Sequence, residues 1–188
     1  SIQRSRALRA LDVAQGVDPG IPGGGGTAFE LPCETTDMEL DAARGKMYIS
    51  SKGSRRVLFV DLATGFVEKY FEFTALPERM ALSPDGSRLY VALLAREHSP
   101  YWWDEDGHEG FIAEFDLDAG VKTREFAINE DPFDLVVNAA GKLVVASGSG
   151  QWTYIRAYDA ATGAELGAAG IRQSSRLALH PRTTGRWQ

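Results

Sequence analysis

Ser83-Pro84-Asp85-Gly86-Ser87-Arg88-Leu89-Tyr90-Val91-Ala92 decides the fold. Its first half is turn chemistry, with Pro and Asp setting the bend and Gly86 suited to positive φ. Its second half, Leu89-Tyr90-Val91-Ala92, is rich in residues that suit a pleated, half-buried surface. Working outward, Met80-Ala81-Leu82 supplies a strand before the turn, and Phe111-Ile112-Ala113-Glu114-Phe115 supplies a third strand. The third strand runs into Asp116-x-x-x-Gly120, after which residues 124–128 form a fourth. The apolar positions follow period two, and no long stretch follows the 3.6-residue period of a helix.

The same pattern recurs along the chain. Leu11-Asp12, Val60-Asp61, Phe115-Asp116 and Tyr158-Asp159 are each followed by glycine four positions after the aspartate, at Gly16, Gly65, Gly120 and Gly163. Those aspartates are spaced by 49, 55 and 43 residues. A second marker interleaves with the first: Met38-Glu39-Leu40-Asp41, Met80-Ala81-Leu82-Ser83, Leu135-Val136-Val137-Asn138 and Leu177-Ala178-Leu179-His180, at steps of 42, 55 and 42. Both markers give a unit of about 42 residues, with 13 extra in one copy. Four short strands per unit, repeated, is the blade of a β-propeller, so the expected class is all-β with four-stranded antiparallel blades.

On this reading three full blades occupy residues 35–78, 79–133 and 134–175. Residues 1–34 form a half blade, and 176–188 begin the next, reaching its second strand near Trp187. Pro77 and Pro132 each stand three residues before the expected start of a first strand, where a proline interrupts no ladder.

The Ser-Pro-Asp-Gly turn, the Leu-Tyr-Val-Ala strand and the apolar strand ending in Asp and an Ala-Thr-Gly-like turn resemble the YVTN-type, surface-layer-like β-propeller repeat. The other copies vary the turn as Asp41-Ala42-Ala43-Arg44-Gly45, Asn138-Ala139-Ala140-Gly141 and His180-Pro181-Arg182. The resemblance covers essentially the whole chain and implies a seven-bladed ring. The chain is then expected to be part of a longer protein, in keeping with a first residue that is not Met and with no signal peptide. Closure as four blades, with 177–188 completing the opening half blade, is the alternative. The resemblance also implies an exported, periplasmic or cell-surface location. It admits both binding proteins and enzymes, the latter including lactonase-like hydrolases and dehydrogenase subunits.

Composition narrows the partners. Twenty Lys and Arg against 26 Asp and Glu give a net charge of −6, which argues against a nucleic-acid footprint. The longest uncharged stretch, residues 143–155, is too short for a membrane-spanning helix. A single cysteine, Cys33, excludes an internal disulfide, a Cys-rich zinc site and a CxxCH haem attachment.

The 13-residue excess falls between the second and third strands of the 79–133 blade, as Glu97-His98-Ser99-Pro100-Tyr101-Trp102-Trp103-Asp104-Glu105-Asp106-Gly107-His108-Glu109. Because each strand reverses direction, this loop emerges on the same face as the connectors between blades. Tyr101, Trp102 and Trp103 offer flat apolar area with polar edges, suited to a protein, peptide, carbohydrate or other small ligand. His98 and His108 are candidate contacts beside them. Asp104, Asp106 and Glu109 are candidate ligands for a divalent metal, and no other cofactor is expected. Asp104-x-Asp106-Gly107 resembles part of an EF-hand loop but lacks its first acidic position and its distal Glu.

Other motifs carry less. The recurring aspartates are expected to build turns, since a catalytic centre draws on unique residues. Gly23-Gly24-Gly25-Gly26 is followed by no Lys-Ser/Thr and so is not a P-loop. Ser147-Gly148-Ser149-Gly150 does not make Gly-x-Ser-x-Gly. His180 sits at a turn position, and Arg172, Arg176, Arg182 and Arg186 read as a solvated basic run. With no catalytic constellation, the expectation is a non-enzymatic binding scaffold. The alternative is part of a propeller enzyme whose site needs further blades.

Overall fold

A computed structural model describes residues 10–11, 28–29, 31–104 and 108–179, the first two pairs as backbone only. Every regular element among them is a strand, and no helix occurs among the described residues. The first pairing is short: β1 (Ala10–Leu11) lies antiparallel to β2 (Ala28–Phe29). Three four-stranded antiparallel sheets follow. The first holds β3 (Asp37–Asp41), β4 (Lys46–Ser51), β5 (Arg56–Asp61) and β6 (Val67–Glu72). The second holds β7 (Leu76–Leu82), β8 (Arg88–Leu94), β9 (Gly110–Asp116) and β10 (Val121–Ile128). The third holds β11 (Pro132–Val137), β12 (Lys142–Ser147), β13 (Trp152–Asp159) and β14 (Glu165–Arg172). In each sheet neighbouring strands are consecutive in sequence.

The turns explain the recurring aspartates. Asp61 Oδ1 accepts from Ala63 N–H at 3.1 Å, Thr64 N–H at 3.0 Å and the Thr64 hydroxyl at 2.9 Å. Asp159 makes the same three bonds with Ala161 and Thr162. Gly65 and Gly163 close these turns at φ +68° and +79°, where a β-carbon is strained. Asp116 accepts from Ala119 N–H at 2.9 Å. Asp12 and Gly16 lie outside the described residues, as do Gly23–26, His180 and residues 181–188.

Two seams of apolar side chains join the sheets face to face. Tyr48, Val57, Phe59, Phe71 and Phe73 of the first sheet and its exit meet Leu89, Val91, Leu93, Ala113 and Phe115 of the second. On its other face the second sheet packs Tyr90, Ala92, Ile112 and Ile128 against Leu135, Val137, Leu143, Val145 and Tyr158 of the third. Alternation along β8 and β9 therefore buries both faces, as a blade between two neighbours requires.

The first strands start earlier than the pattern predicts, so the boundaries after residues 78 and 133 fall inside β7 and β11. Pro77 does not precede its strand; it lies within β7 opposite Leu93, and the register shift between Pro77 and Met80 absorbs it. Pro132 is the first residue of β11, a position that tolerates proline. Asp37 ties consecutive first strands together: its Oδ2 accepts from Met80 N–H at 2.8 Å and its Oδ1 pairs with Arg79 Nη1 at 2.9 Å. Asp134 repeats the tie, accepting from Leu177 N–H at 2.8 Å. Residues 176–179 continue past this tie without forming a strand.

Candidate functional site: an aromatic loop on a buried charge network

Residues 95–109 join β8 to β9 on the same side as residues 129–131, which join β10 to β11. The loop is held against the third blade. Ser99 N–H donates to Ser149 Oγ at 2.8 Å, and Gln151 N–H donates to the Trp102 carbonyl at 2.9 Å.

The structure divides the five predicted contact residues. His98 turns inward. Its Nδ1–H donates to Asp131 Oδ2 at 2.6 Å, and its Nε2 lies 3.8 Å from Glu78 Oε1. Gly148 lets the imidazole approach: a β-carbon there would stand 2.2 Å from His98 Nδ1. Asp131 also accepts from the Ser147 hydroxyl at 2.7 Å, from the Ser149 hydroxyl, and from Gly148 and Ser149 N–H at 3.3 Å. Glu78 takes Lys52 Nζ at 2.8 Å, and Lys52 reaches Glu97 at 3.1 Å. The network thus runs from the first blade to the third.

Burial alone would strip the proton from His98, but its hydrogen bond to Asp131 and the nearby Glu78 carboxylate outweigh that and hold its pKa up to about 9. Burial would raise the two carboxylates; instead His98 and the serines hold Asp131 well below the ordinary range, and His98 with Lys52 holds Glu78 below it. His98 is therefore an imidazolium between two carboxylates at neutral pH. A histidine whose pKa is raised on folding stabilises fully below its unfolded value and progressively less as pH rises through the folded one. The chain is expected to lose His98's contribution between about pH 6.5 and 9. Chemical denaturation across that range should show a steeper decline for the native chain than for His98→Gln; parallel curves would remove the charged histidine from the account.

His108 is also largely covered. Its Nε2–H donates to the Asp104 carbonyl at 2.7 Å. Of the candidate metal ligands, Asp104 Oδ1 stands 3.8 Å from His108 Nε2, Glu109 is exposed beside β9, and Asp106 lies outside the described residues. Among the described residues, no group of three or more His, Cys, Asp or Glu has metal-holding geometry.

Tyr101, Trp102 and Trp103 face outward, 54%, 58% and 62% exposed. Tyr101 stacks on Trp103 with centroids 4.9 Å apart and planes at 25°. Trp102 stands perpendicular to Trp103, at 5.5 Å and 87°. Three rings thus cluster on a loop that is hydrogen-bonded to the third blade, two of them at a right angle.

A second region escaped the sequence reading. A cavity of about 420 Å³ opens along the three first strands, lined by Asp37, Glu39, Arg79, Asp134 and Arg176 over an apolar floor. Burial, with the charges of Asp37 and Asp134, pushes the Glu39 carboxyl up to about 7. Such a group exchanges a proton near neutrality. Period-two counting could have found it, because Glu39 occupies a strand position that the other copies fill with Ala81, Val136 and Ala178.

No family model matches the chain, and no curated protein matches it. Solved structures do. The chain resembles the WD40 repeats of RRP9 at TM-score 0.57 and 11% identity, over 74% of this chain and 39% of that one. It resembles U3-55K at 0.58 and 11%, over 74% and 40%. It resembles the hydrazine synthase of Kuenenia stuttgartiensis at 0.58 and 20%, over 86% and 40%. The chain folds as part of a β-propeller. At these identities the likeness establishes the fold alone, and the chain spans about two fifths of the length of each structure.

Proposed function

We propose that this propeller segment is a non-enzymatic interaction scaffold whose contact element is the Tyr101-Trp102-Trp103 platform, and that its partner is a protein. The observation that carries the reading is the combination of exposed rings with an immobilised base. Large aromatic residues held in one conformation contribute much contact area at little entropic cost, which is why they dominate interface hot spots. The loop's anchors, His98 and the cross-blade bonds of Ser99 and Trp102, supply that immobility. The resemblance of the repeat to YVTN-type propellers supports an exported or cell-surface setting for the contact.

Trp102→Ala combined with Trp103→Ala tests the reading. In cell extract, cross-linking to the native chain identifies the partner, whose affinity is then measured for both forms. Loss of at least about tenfold in affinity is expected, consistent with truncation of two hot-spot rings, while Tm moves by less than about 2 °C as for an exposed substitution. Unchanged affinity would refute the platform; a large fall in Tm would make the indoles structural.

A further inference from the structure

Six of the chain's aromatic rings carry a cation of the chain itself. Arg56 lies over Tyr70, Lys122 over Phe73, Arg124 over Phe126, Arg156 over Tyr154, Arg172 over Trp152 and Arg176 over Phe133, at 4.5–5.4 Å from the ring centroids. Among the described residues, none of these cation–π contacts involves Tyr101, Trp102 or Trp103, although those rings are among the most exposed. The loop's own charge is acidic, with Arg96 just before it and Lys52 paired to Glu97 as the cations at its start. Residues 97–109 carry five carboxylates and no Lys or Arg. Within the described part, Glu97 and Glu109 are exposed and Asp104 is about one-third exposed.

From this we infer that the platform receives a cationic side chain: a Lys or Arg presented by a basic segment of the partner protein. The inference rests on the scaffold reading above and names the chemistry of its partner. Trp102 and Trp103 stand at right angles with centroids 5.5 Å apart and both rings exposed, so an ammonium or guanidinium can approach an indole face. Tyr101 stacks on Trp103 and extends the aromatic surface. The flanking carboxylates supply long-range attraction and repel acidic segments, giving selection by charge as well as by shape. The histidines do not oppose the incoming charge: the His98 imidazolium is neutralised between Asp131 and Glu78, and His108 donates inward to the Asp104 carbonyl.

The test uses the full chain and three probes: a short peptide with central Lys and Arg, the same peptide with norleucine and citrulline in their places, and a neutral oligosaccharide such as maltohexaose. Binding is followed by tryptophan fluorescence. The basic peptide is expected to bind about tenfold or more tightly than its neutral analogue, a ratio within reach of a desolvated cation–π contact plus charge attraction. Trp102→Ala/Trp103→Ala should abolish the preference, and raising salt from 50 to 500 mM should weaken binding several-fold. Asp104→Asn with Glu109→Gln, which leaves the rings in place, should reduce the preference by itself. Equal binding of the two peptides, preferential binding of the oligosaccharide, or no binding of the basic peptide at millimolar concentration would overturn the inference. In each of those cases, a cross-linked partner still lost on removing the tryptophans would leave the scaffold reading standing.

Discussion

Alanine at position 131 is expected to destabilise the chain by about 3–5 kcal/mol, the cost typical of removing one partner from a buried ion pair. The carboxylate accepts from His98, two serine hydroxyls and two backbone amides, and its own residue is almost wholly buried. Its removal leaves an imidazolium whose remaining counter-ion, Glu78, is 3.8 Å away. The Ser147 and Ser149 hydroxyl protons lose their acceptor, and if His98 sheds its proton Nδ1 loses its partner as well; each such loss costs about 1–3 kcal/mol. For a chain of this size 1 kcal/mol corresponds to about 2–4 °C, so Tm should fall by about 6–20 °C. Asp131→Asn keeps an acceptor for the serines and should cost roughly half as much. Because His98 anchors the loop, tryptophan fluorescence should shift in Asp131→Ala before global unfolding begins. A loss below about 1 kcal/mol would show that water or a rearranged side chain satisfies the network.

The contrast between this network and the strands shows what a sequence read alone can carry. The blades are legible because their rules are local: alternation in Leu89-Tyr90-Val91-Ala92, the Asp61 and Asp159 turns and the glycines four residues on all act within a few positions. The exposed platform is legible for the same reason, since Tyr101, Trp102 and Trp103 are contiguous and sit in a length excess. His98 is different. It reads as a surface ligand beside the tryptophans, yet its partners Glu78 and Asp131 are 20 and 33 positions away, one in β7 and one in the connector between β10 and β11. Only the fact that the start of β7 and the connector before β11 lie on one face brings them together, and side-chain direction within the loop then decides between solvent and interior. Ser147-Gly148-Ser149, judged against a nucleophile motif, instead builds the seat for Asp131. Glu39 and Asp134 line one cavity along the first strands although 95 positions separate them and one blade intervenes. Pro77 misleads for the opposite reason: a local rule against proline in strands yields to a bulge that tertiary packing stabilises.

Phe115→Ala should be among the most costly changes in the apolar interior, because the ring fills the seam between the first and second blades. Phe115 is fully buried on β9 and faces Phe71 edge-on at 4.8 Å, Phe59 at 5.6 Å and Phe73 at 6.4 Å, all from the first blade or its exit. Truncating a buried phenylalanine costs about 3–5 kcal/mol, and the lost aromatic pairs place this site at the upper end. The distribution of that loss is as informative as its size. In a stack of repeats, stability is the sum of weak blades and strong interfaces, so a cavity in the seam removes interface energy and leaves each sheet's ladders intact. Urea unfolding of Phe115→Ala should therefore lose cooperativity, with a lower m-value or a second transition as the first blade parts from the others. Leu143→Ala, in the seam between the second and third blades, should show the same loss with the third blade separating. If Phe115→Ala instead shifts the midpoint with an unchanged m-value, the three blades still unfold as one unit and the cavity does not uncouple them.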